Sequence, residues 1–407
     1  MTTPLTPKFQ KASDFGLKRD RVPAANYTSH SVFEAERDKI FKRSWLYVCR
    51  DNEVADNGSY IMRELPTIRA SVIIARGSDG VVRAFHNACA HRGVALVTEP
   101  CGKAETFRCP YHAWLYNNKG NLVAFPNAKD FPQIEKSEHG LAPLAIDCWN
   151  GFIFVHLETH PEQTLRNHLG AIADMFDRDM FDRCAHGFRM TQPIPCNWKA
   201  MVDAFSEGYH LPLLHKDTLG ERLVSSANPF YEPYDQRLVG PHWLTTQEAD
   251  YNWRPSAPVQ SFALSAMTAS FTIDLSKADA QSSMSSSPDV NRVNIPNFSQ
   301  ENIFLFPNFQ LQILTNGYLT HQFWPVSSDE LVMITTIYSE TKPSSYREQF
   351  AATYIQTSAR DLVTEDNAVC RLQQKGLHSG GAEYIYFGEN ELLLRHFSDS
   401  IEKALQR

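Results

Sequence analysis

Two stretches, Cys89-Ala90-His91-Arg92-Gly93 and Cys109-Pro110-Tyr111-His112-Ala113-Trp114, decide how this 407-residue chain must fold. Each presents one soft thiolate and one imidazole, so together they offer a Cys2His2 ligand set to a metal centre. Such a set fits a tetrahedral zinc ion, or a [2Fe–2S] cluster with two cysteines on one iron and two histidines on the other.

The spacing separates these readings. Structural zinc sites usually pair cysteine with cysteine and histidine with histidine, each pair close in sequence. Here each loop gives one of each, as C-x-H and C-x2-H, with 17 residues between His91 and Cys109. That interval suits a β-hairpin carrying two ligand loops at its tips, and mixed loops let each one reach both irons. The flanking Arg92-Gly93, Pro110, Tyr111 and Trp114 also resemble the Rieske pattern C-x-H-R-G…C-P-Y-H-x-W.

The rest of the chain bounds the setting. Its length allows two domains with sizeable cores, and 43% hydrophobic with 21% charged residues is ordinary for a globular protein. A net charge of −7 supplies no basic patch for nucleic acid and no polybasic membrane anchor. Residues 1–20 contain no apolar run resembling a signal peptide, and no stretch approaches the roughly 18 apolar residues of a membrane span. A cytoplasmic location is expected. Cys49, Cys101, Cys148, Cys184, Cys196 and Cys370 are scattered, as small buried hydrophobes in a reducing compartment are.

The hydrophobic pattern changes twice along the chain. Residues 1–43 read as an irregular arm and a helix beginning near Ser31. From 44 to 160, short apolar runs such as Ser71-Val72-Ile73-Ile74-Ala75 alternate with turn signals at Asn57-Gly58, Asp79-Gly80 and Lys119-Gly120, which predicts a small antiparallel β domain. From 161 to 407 helical periodicity at 162–177, 199–209, 344–375 and 390–405 mixes with strand-like runs at 303–325 and 331–339. The expected class is therefore α+β, with a β domain followed by an antiparallel sheet flanked by helices. Residues 276–292 include Ser282-Ser283-Met284-Ser285-Ser286-Ser287-Pro288 and read as a polar mobile loop, either a lid or an inert insertion.

A second constellation lies in the last region, Glu207-Gly208-Tyr209-His210-Leu211-Pro212-Leu213-Leu214-His215. Two histidines five residues apart, beyond a helix that Pro212 is expected to interrupt, can converge on one ion. A carboxylate from elsewhere would complete a 2-His-1-carboxylate site with open positions. Asp366 in Val363-Thr364-Glu365-Asp366-Asn367 is the candidate, and Glu365 its neighbour would point about 100° away on a helix.

With these residues in view, the chain resembles the catalytic α subunits of the Rieske non-haem iron oxygenases. The resemblance covers most of the sequence: the two Cys–His loops, Asn197-Trp198-Lys199, Glu207-x-Tyr209-His210-x4-His215, and Glu365-Asp366 with Gln374-x-Gly376. It implies that Cys89, His91, Cys109 and His112 hold a [2Fe–2S] cluster and that His210, His215 and Asp366 hold a mononuclear Fe(II). It implies that Glu207 links an iron-ligand histidine to a Rieske histidine, His112, of a neighbouring subunit, hence a homotrimer. Where the family usually has Glu-Asn, this chain has Asp203-Ala204, with Asp203 the expected partial substitute for the missing amide.

The implied activity is oxygenation of an aromatic or other largely apolar organic compound with O2, by ring dihydroxylation or by single hydroxylation or demethylation. No G-x-G-x-x-G fingerprint and no C-x4-C-x2-C run occurs, so electrons are expected from a separate NAD(P)H reductase, directly or through a ferredoxin. Candidate pocket residues are Met201, Phe205, Leu219, Phe306, Asn308, Gln310 and Gln312. The competing classes are an electron-transfer-only Rieske protein and a zinc-bearing scaffold. The first usually carries extra loop cysteines, whose positions here hold Val94 and Tyr111.

Overall fold

A computed structural model of the chain describes residues 9–250, 253–255, 257–266, 284, 287–314, 317–340 and 342–407. The chain divides into two compact units, Arg37–His168 and a second formed by Met1–Glu36 with Leu169–Arg407. Both sheets of the first unit and the large sheet of the second are antiparallel, and long helices occur only in the second, so the class is α+β.

The first unit is built on strands β1 (Leu46–Arg50), β2 (Ser59–Leu65), β3 (Ala70–Arg76), β4 (Val82–His86), β5 (Cys101–Lys103), β6 (Thr106–Arg108), β7 (Leu115–Asn117), β8 (Leu122–Ala124), β9 (Pro143–Trp149) and β10 (Phe152–His156). Seven form a sheet in the order β1-β10-β9-β4-β3-β2-β5, and β6-β7-β8 form a separate small sheet. The turn signals work as read. At Gly120, φ is +88°, which disfavours any residue with a Cβ, and a Cβ there would run into the Phe85 ring. Ile73, Phe85, Val97, Phe107, Trp114, Tyr116, Leu122 and Leu141 form one buried cluster, and Cys89 and Cys109 belong to it.

The second unit carries a seven-stranded sheet of β11 (Ala185–Ile194), β12 (Asp235–Val239), β13 (His242–Glu248), β14 (Phe298–Leu305), β15 (Phe309–Leu314), β16 (Gly317–Pro325) and β17 (Leu331–Ser339). Its order is β11-β17-β16-β15-β14-β13-β12. Every residue of β16 is buried, so its two faces both carry core. The helices that matter are α1 (Trp198–Ala204), α2 (Leu211–Leu214), α3 (Tyr346–His378) and α4 (Leu392–Leu405).

Several expectations shift in detail. The helix expected at 199–209 ends at Ala204. Gly208 then lets the following turn press against the 230–231 backbone, where a Cβ would meet Tyr231 O at 2.7 Å and Phe230 O at 2.8 Å. Pro212 interrupts nothing: it sits in the first turn of α2, where its missing N–H has no partner to lose. The helix expected at 162–177 is a short α-helix, Leu165–Leu169, followed by a 3-10 turn starting at Gly170, whose φ is +57°. The strand-like run 303–325 is three hairpin-connected strands.

Of the Ser-rich stretch, residues 276–283 with 285 and 286 lie outside the described residues. Its described part is packed, not loose. Met284, Ser287 and Val290 are buried, and Asp289 Oδ2 accepts a hydrogen bond from the Phe176 N–H at 2.7 Å. Composition missed this because a few spaced apolar anchors suffice to seat a polar segment.

Asn197-Trp198-Lys199 has a structural explanation. Asn197 caps α1, its Oδ1 accepting from the Lys199 N–H at 3.1 Å. Lys199 Nζ and Trp198 Nε1 both bind the buried Glu36 carboxylate, at 2.6 and 2.8 Å. Gln374 joins this knot, Oε1 accepting from the Asn197 N–H at 2.9 Å and Nε2 donating to Tyr27 O at 3.0 Å. A buried carboxylate keeps its charge only when paired in this way.

Candidate metal centres and active site

The two Cys–His loops share one backbone design. In the first, Cys89 N–H donates to Val94 O at 2.9 Å and Gly93 N–H donates to Cys89 O at 2.8 Å. In the second, Cys109 N–H donates to Trp114 O at 2.8 Å and Ala113 N–H donates to Cys109 O at 3.0 Å. The fourth residue after each cysteine is left-handed, Gly93 at φ +73° and Ala113 at φ +60°. Ala113 tolerates this conformation at a cost of roughly 1–2 kcal/mol, which the loop's closing bonds offset.

The ligand atoms face each other. The His91 and His112 ring centroids are 4.7 Å apart, and both Nδ1 atoms are buried with no hydrogen-bond partner. Cys89 and Cys109 are buried, and burial pushes the Cys89 thiol above its ordinary value, although the Tyr116 hydroxyl at 3.2 Å acts against that shift. Two orphaned nitrogens beside two buried sulfurs are the donor set that a Cys2His2 cluster requires. Trp114 stacks on His91 at 4.9 Å and 5°, and Tyr111 lies on His112 at 3.7 Å, so both rings are fixed by aromatic neighbours. Sequence reasoning named neither support as such.

In the second unit, His210, His215 and Asp366 each offer one ligand atom, all within 4.8 Å of one another. His215 Nε2 lies 3.0 Å and His210 Nε2 3.7 Å from Asp366 Oδ1. The histidines flank α2 as its two caps, and Asp366 lies on the buried stripe of α3 formed by Val363, Asp366, Cys370, Gln374 and Leu377. Each histidine's other nitrogen is held by a carboxylate. Glu207 Oε1 takes His210 Nδ1, and Glu365 Oε2 takes His215 Nδ1 at 2.7 Å. Glu365 is itself fixed by the Thr218 hydroxyl at 2.8 Å. Burial opposes protonation of His215, but Asp366 and Glu365 outweigh it and hold its pKa above the ordinary imidazole value. A site that favours a proton on a buried nitrogen between carboxylates equally favours a cation there. Two Nε2 atoms and one carboxylate oxygen fit a mononuclear iron.

The family model for the ring hydroxylating alpha subunit (catalytic domain) matches residues 181–407, and that for the Rieske [2Fe-2S] domain matches residues 44–136. The chain belongs to the ring-hydroxylating α-subunit family. The cofactors are accordingly a Rieske [2Fe–2S] cluster and a mononuclear iron. The chain is 32% identical over 201 residues to the carnitine monooxygenase oxygenase subunit of Escherichia coli strain K12, covering 48% of this chain and 52% of that one. It is 30% identical over 202 residues to the anthranilate 1,2-dioxygenase large subunit of Acinetobacter baylyi, covering 48% and 42%. These matches span about half the length of the curated relatives. A solved structure of a quaternary ammonium Rieske monooxygenase, described with carnitine oxidation and inter-subunit electron transfer, superposes with a TM-score of 0.75 over 99% of this chain and 100% of that one, at 20% identity. That likeness is one of fold.

A cavity opens beside the triad. It holds about 760 Å³ of empty space, its mouth included. Glu207, His210, His215 and Asp366 line one side; Phe205, Leu219, Leu223, Tyr231, Leu319, Leu362 and Val363 supply apolar walls. One face of the sheet supplies Gln247, Gln300, Asn302, Gln312, His321 and Thr335. Register explains the grouping: Gln247 pairs with Gln300, Asn302 with Gln312, and His321 with Thr335 across neighbouring strands. Pairing was the signal that sequence reasoning lacked for all of these but Gln312.

Of the expected pocket residues, Phe205, Leu219 and Gln312 line the cavity. Met201 is buried on the core side of α1. Phe306 and Asn308 fall in the turn between β14 and β15, beyond the strand alternation that would have aimed them inward. Gln310 is fully buried, its Nε2 donating to Phe205 O at 3.3 Å. Asp203 does not replace the missing family amide either. Its Oδ2 accepts from the Tyr27 hydroxyl at 2.6 Å, and its neighbour Ala204 lines the cavity. Burial, reinforced by Glu391 and Glu207, pushes its carboxyl up to about 7 against the pull of Tyr27 and Lys199.

Proposed function

We propose that this chain is the terminal oxygenase of a multicomponent system, inserting oxygen from O2 into an organic substrate with electrons from a separate NAD(P)H reductase. The observation that carries this reading is the coexistence of two complete donor sets, Cys89/His91/Cys109/His112 and His210/His215/Asp366, with a cavity beside the second. When bound, the cluster supplies single electrons and the mononuclear iron a site for O2.

The protein's own groups then divide the work. His210, His215 and Asp366 would hold the iron, at the wall of the cavity that would take the substrate. Glu207 and Glu365 each accept the Nδ1–H of one ligand histidine and so fix its ring and tautomer. Leu219, Leu223, Leu362 and Val363 exclude water from the reacting carbon.

Glu207 has a further part. It joins His210 to His112 of a neighbouring subunit in a homotrimer, carrying electrons between chains. His112 Nδ1 is buried toward the cluster site, which leaves the outer edge of its ring for such a partner. Both ends of the link are edged by exposed aromatic or aliphatic groups: Tyr111 at 55% exposure, Tyr209 at 52% and Leu213 at 79%. Apolar surface of that kind fits a subunit contact. Inter-subunit electron transfer in the quaternary ammonium Rieske monooxygenase of the same fold supports this reading.

The apolar walls and the Phe205 ring suit a largely apolar or aromatic compound, oxygenated by ring dihydroxylation. A second reading, monooxygenation or demethylation, is favoured by the resemblance to carnitine monooxygenase. Among the described lining residues there is no Lys or Arg to pair a substrate carboxylate. The test supplies the purified protein with a surrogate reductase and 18O2, and screens aromatic, phenolic and N- or O-methyl compounds by product mass. Two labelled oxygens indicate dihydroxylation, one indicates single hydroxylation, and an unlabelled product lacking a methyl group with release of formaldehyde indicates demethylation, while none of these outcomes from any compound refutes the oxygenase reading. Glu207→Gln should lower turnover by about 10–100-fold or more with both metal centres loaded; unchanged turnover would remove the bridge.

A further inference from the structure

The sheet face across the cavity from the iron triad is polar yet carries no charge among the described residues. On it, Gln300 Nε2 and Asn302 Nδ2 both donate to Gln247 Oε1, each at 2.5 Å, so the three amides form a fixed group. Asn302 Oδ1 is buried and has no partner. His321, 3% exposed, is held on two sides: its Nδ1 lies 2.9 Å from the Thr335 hydroxyl, and Phe205 packs edge-on at 4.9 Å. Its Nε2 is buried and unpartnered. Burial holds the ring neutral, pushing its pKa down to about 3. With Nδ1 engaged by the Thr335 hydroxyl, Nε2 is left as a buried donor or acceptor, according to the tautomer, with no partner.

A core built only for stability fills such positions with apolar side chains, because a buried unpaired donor or acceptor costs stability. Both orphaned atoms belong to residues that line the cavity, so a ligand seated against this face is the partner nearest to hand. A carboxylate would find no cation on this face. A hydrocarbon would leave Nε2 and Oδ1 unpaired.

We propose that His321 anchors an uncharged hydrogen-bonding group of the substrate, a hydroxyl, carbonyl or amide, which sets the distance from that group to the carbon presented at the iron. The Gln247–Gln300–Asn302 group offers a second contact to the same molecule. This inference rests on the oxygenase reading for the position of the iron, and not for the selectivity itself. The substrate class is therefore a neutral molecule with an apolar body and a polar handle.

The test uses the enzyme carrying both metal centres and three matched probes: naphthalene, 2-naphthol and 2-naphthoate. Calorimetric titration should show 2-naphthol binding about tenfold or more tighter than both others. His321→Phe should abolish the preference, 2-naphthol then binding no tighter than naphthalene whatever happens to the affinity for naphthalene itself, and His321→Gln, which keeps a hydrogen-bonding group, should recover part of the preference. Equal or tighter binding of naphthalene or 2-naphthoate, a preference that survives His321→Phe, or binding of none of the three overturns the proposal. Product analysis with 18O2 separates the two readings. A His321-dependent preference without label in any product refutes the oxygenase alone, whereas labelled products from a protein with no such preference refute the anchor alone.

Discussion

The two donor sets are assembled in opposite ways. The loops proposed to hold the cluster are local: four candidate ligands within 24 residues, each loop closed by one backbone hydrogen bond donated and one accepted by its own cysteine. The proposed iron triad is long-range: His215 and Asp366 are separated by 151 positions and meet only because α3 packs with its Asp366 face inward. Local geometry writes itself into spacing, so the first set is readable from sequence. The second depends on which face of a 33-residue helix is buried, and the choice between Glu365 and Asp366 follows from that face.

The strongest way to sharpen the contrast is to delete one ligand from each set. Cys109→Ala should lose the cluster's visible absorption, its acid-labile sulfide and roughly two of three irons per chain, and with them all turnover. It also removes a buried residue from the core cluster of the first unit, so a fall in thermal stability should accompany the loss. Retained sulfide would show that Cys109 is not a ligand.

Asp366→Ala should be narrower. It should remove roughly one iron per chain and abolish turnover, leaving the cluster absorption in place, because the Cys–His loops are closed by their own backbone hydrogen bonds. Unchanged iron content would move the carboxylate ligand elsewhere, Glu365 being the nearest.

Glu365 itself should give a graded effect. It touches His215 Nδ1 and Thr218, not the side of the triad where the ligand atoms converge. Glu365→Gln should weaken iron binding by about 10–100-fold without eliminating it, measured by competition with a chelator. An Asp366-like total loss would mean the two carboxylates share the ligand role.

How much was legible follows the same division. Asn57-Gly58, Asp79-Gly80 and Lys119-Gly120 mark real turns because the left-handed backbone at Gly58, Gly80 and Gly120 favours glycine. The cavity floor was not legible. Gln247, Gln300, Asn302 and His321 come from three strands whose pairing is not a property of any one segment, and polar residues in a strand ordinarily read as its solvent face. Asp203 misled for a related reason. Its neighbour in sequence reaches the cavity, but the side chain turns back toward Tyr27.

That last residue allows the finest test, because Asp203 and Asp366 are both buried carboxyls with opposite reasons for being there. On the proposed reading Asp366 is neutralised by a metal, whereas Asp203 is neutralised by a proton. The folded protein holds the Asp203 proton up to about pH 7, whereas an unfolded chain releases it near the ordinary value of 3.8. Between those values the folded state binds more protons, so this group's contribution favours folding at low pH and is lost as pH rises toward 7. Asp203→Asn keeps an acceptor for the Tyr27 hydroxyl and cannot ionise. Its melting temperature relative to the parent should therefore rise from pH 5 to pH 8, by a few degrees at most, with turnover at pH 6 little changed. A constant difference across that window would mean Asp203 is ionised in the fold and the Tyr27 contact is an ordinary charged hydrogen bond.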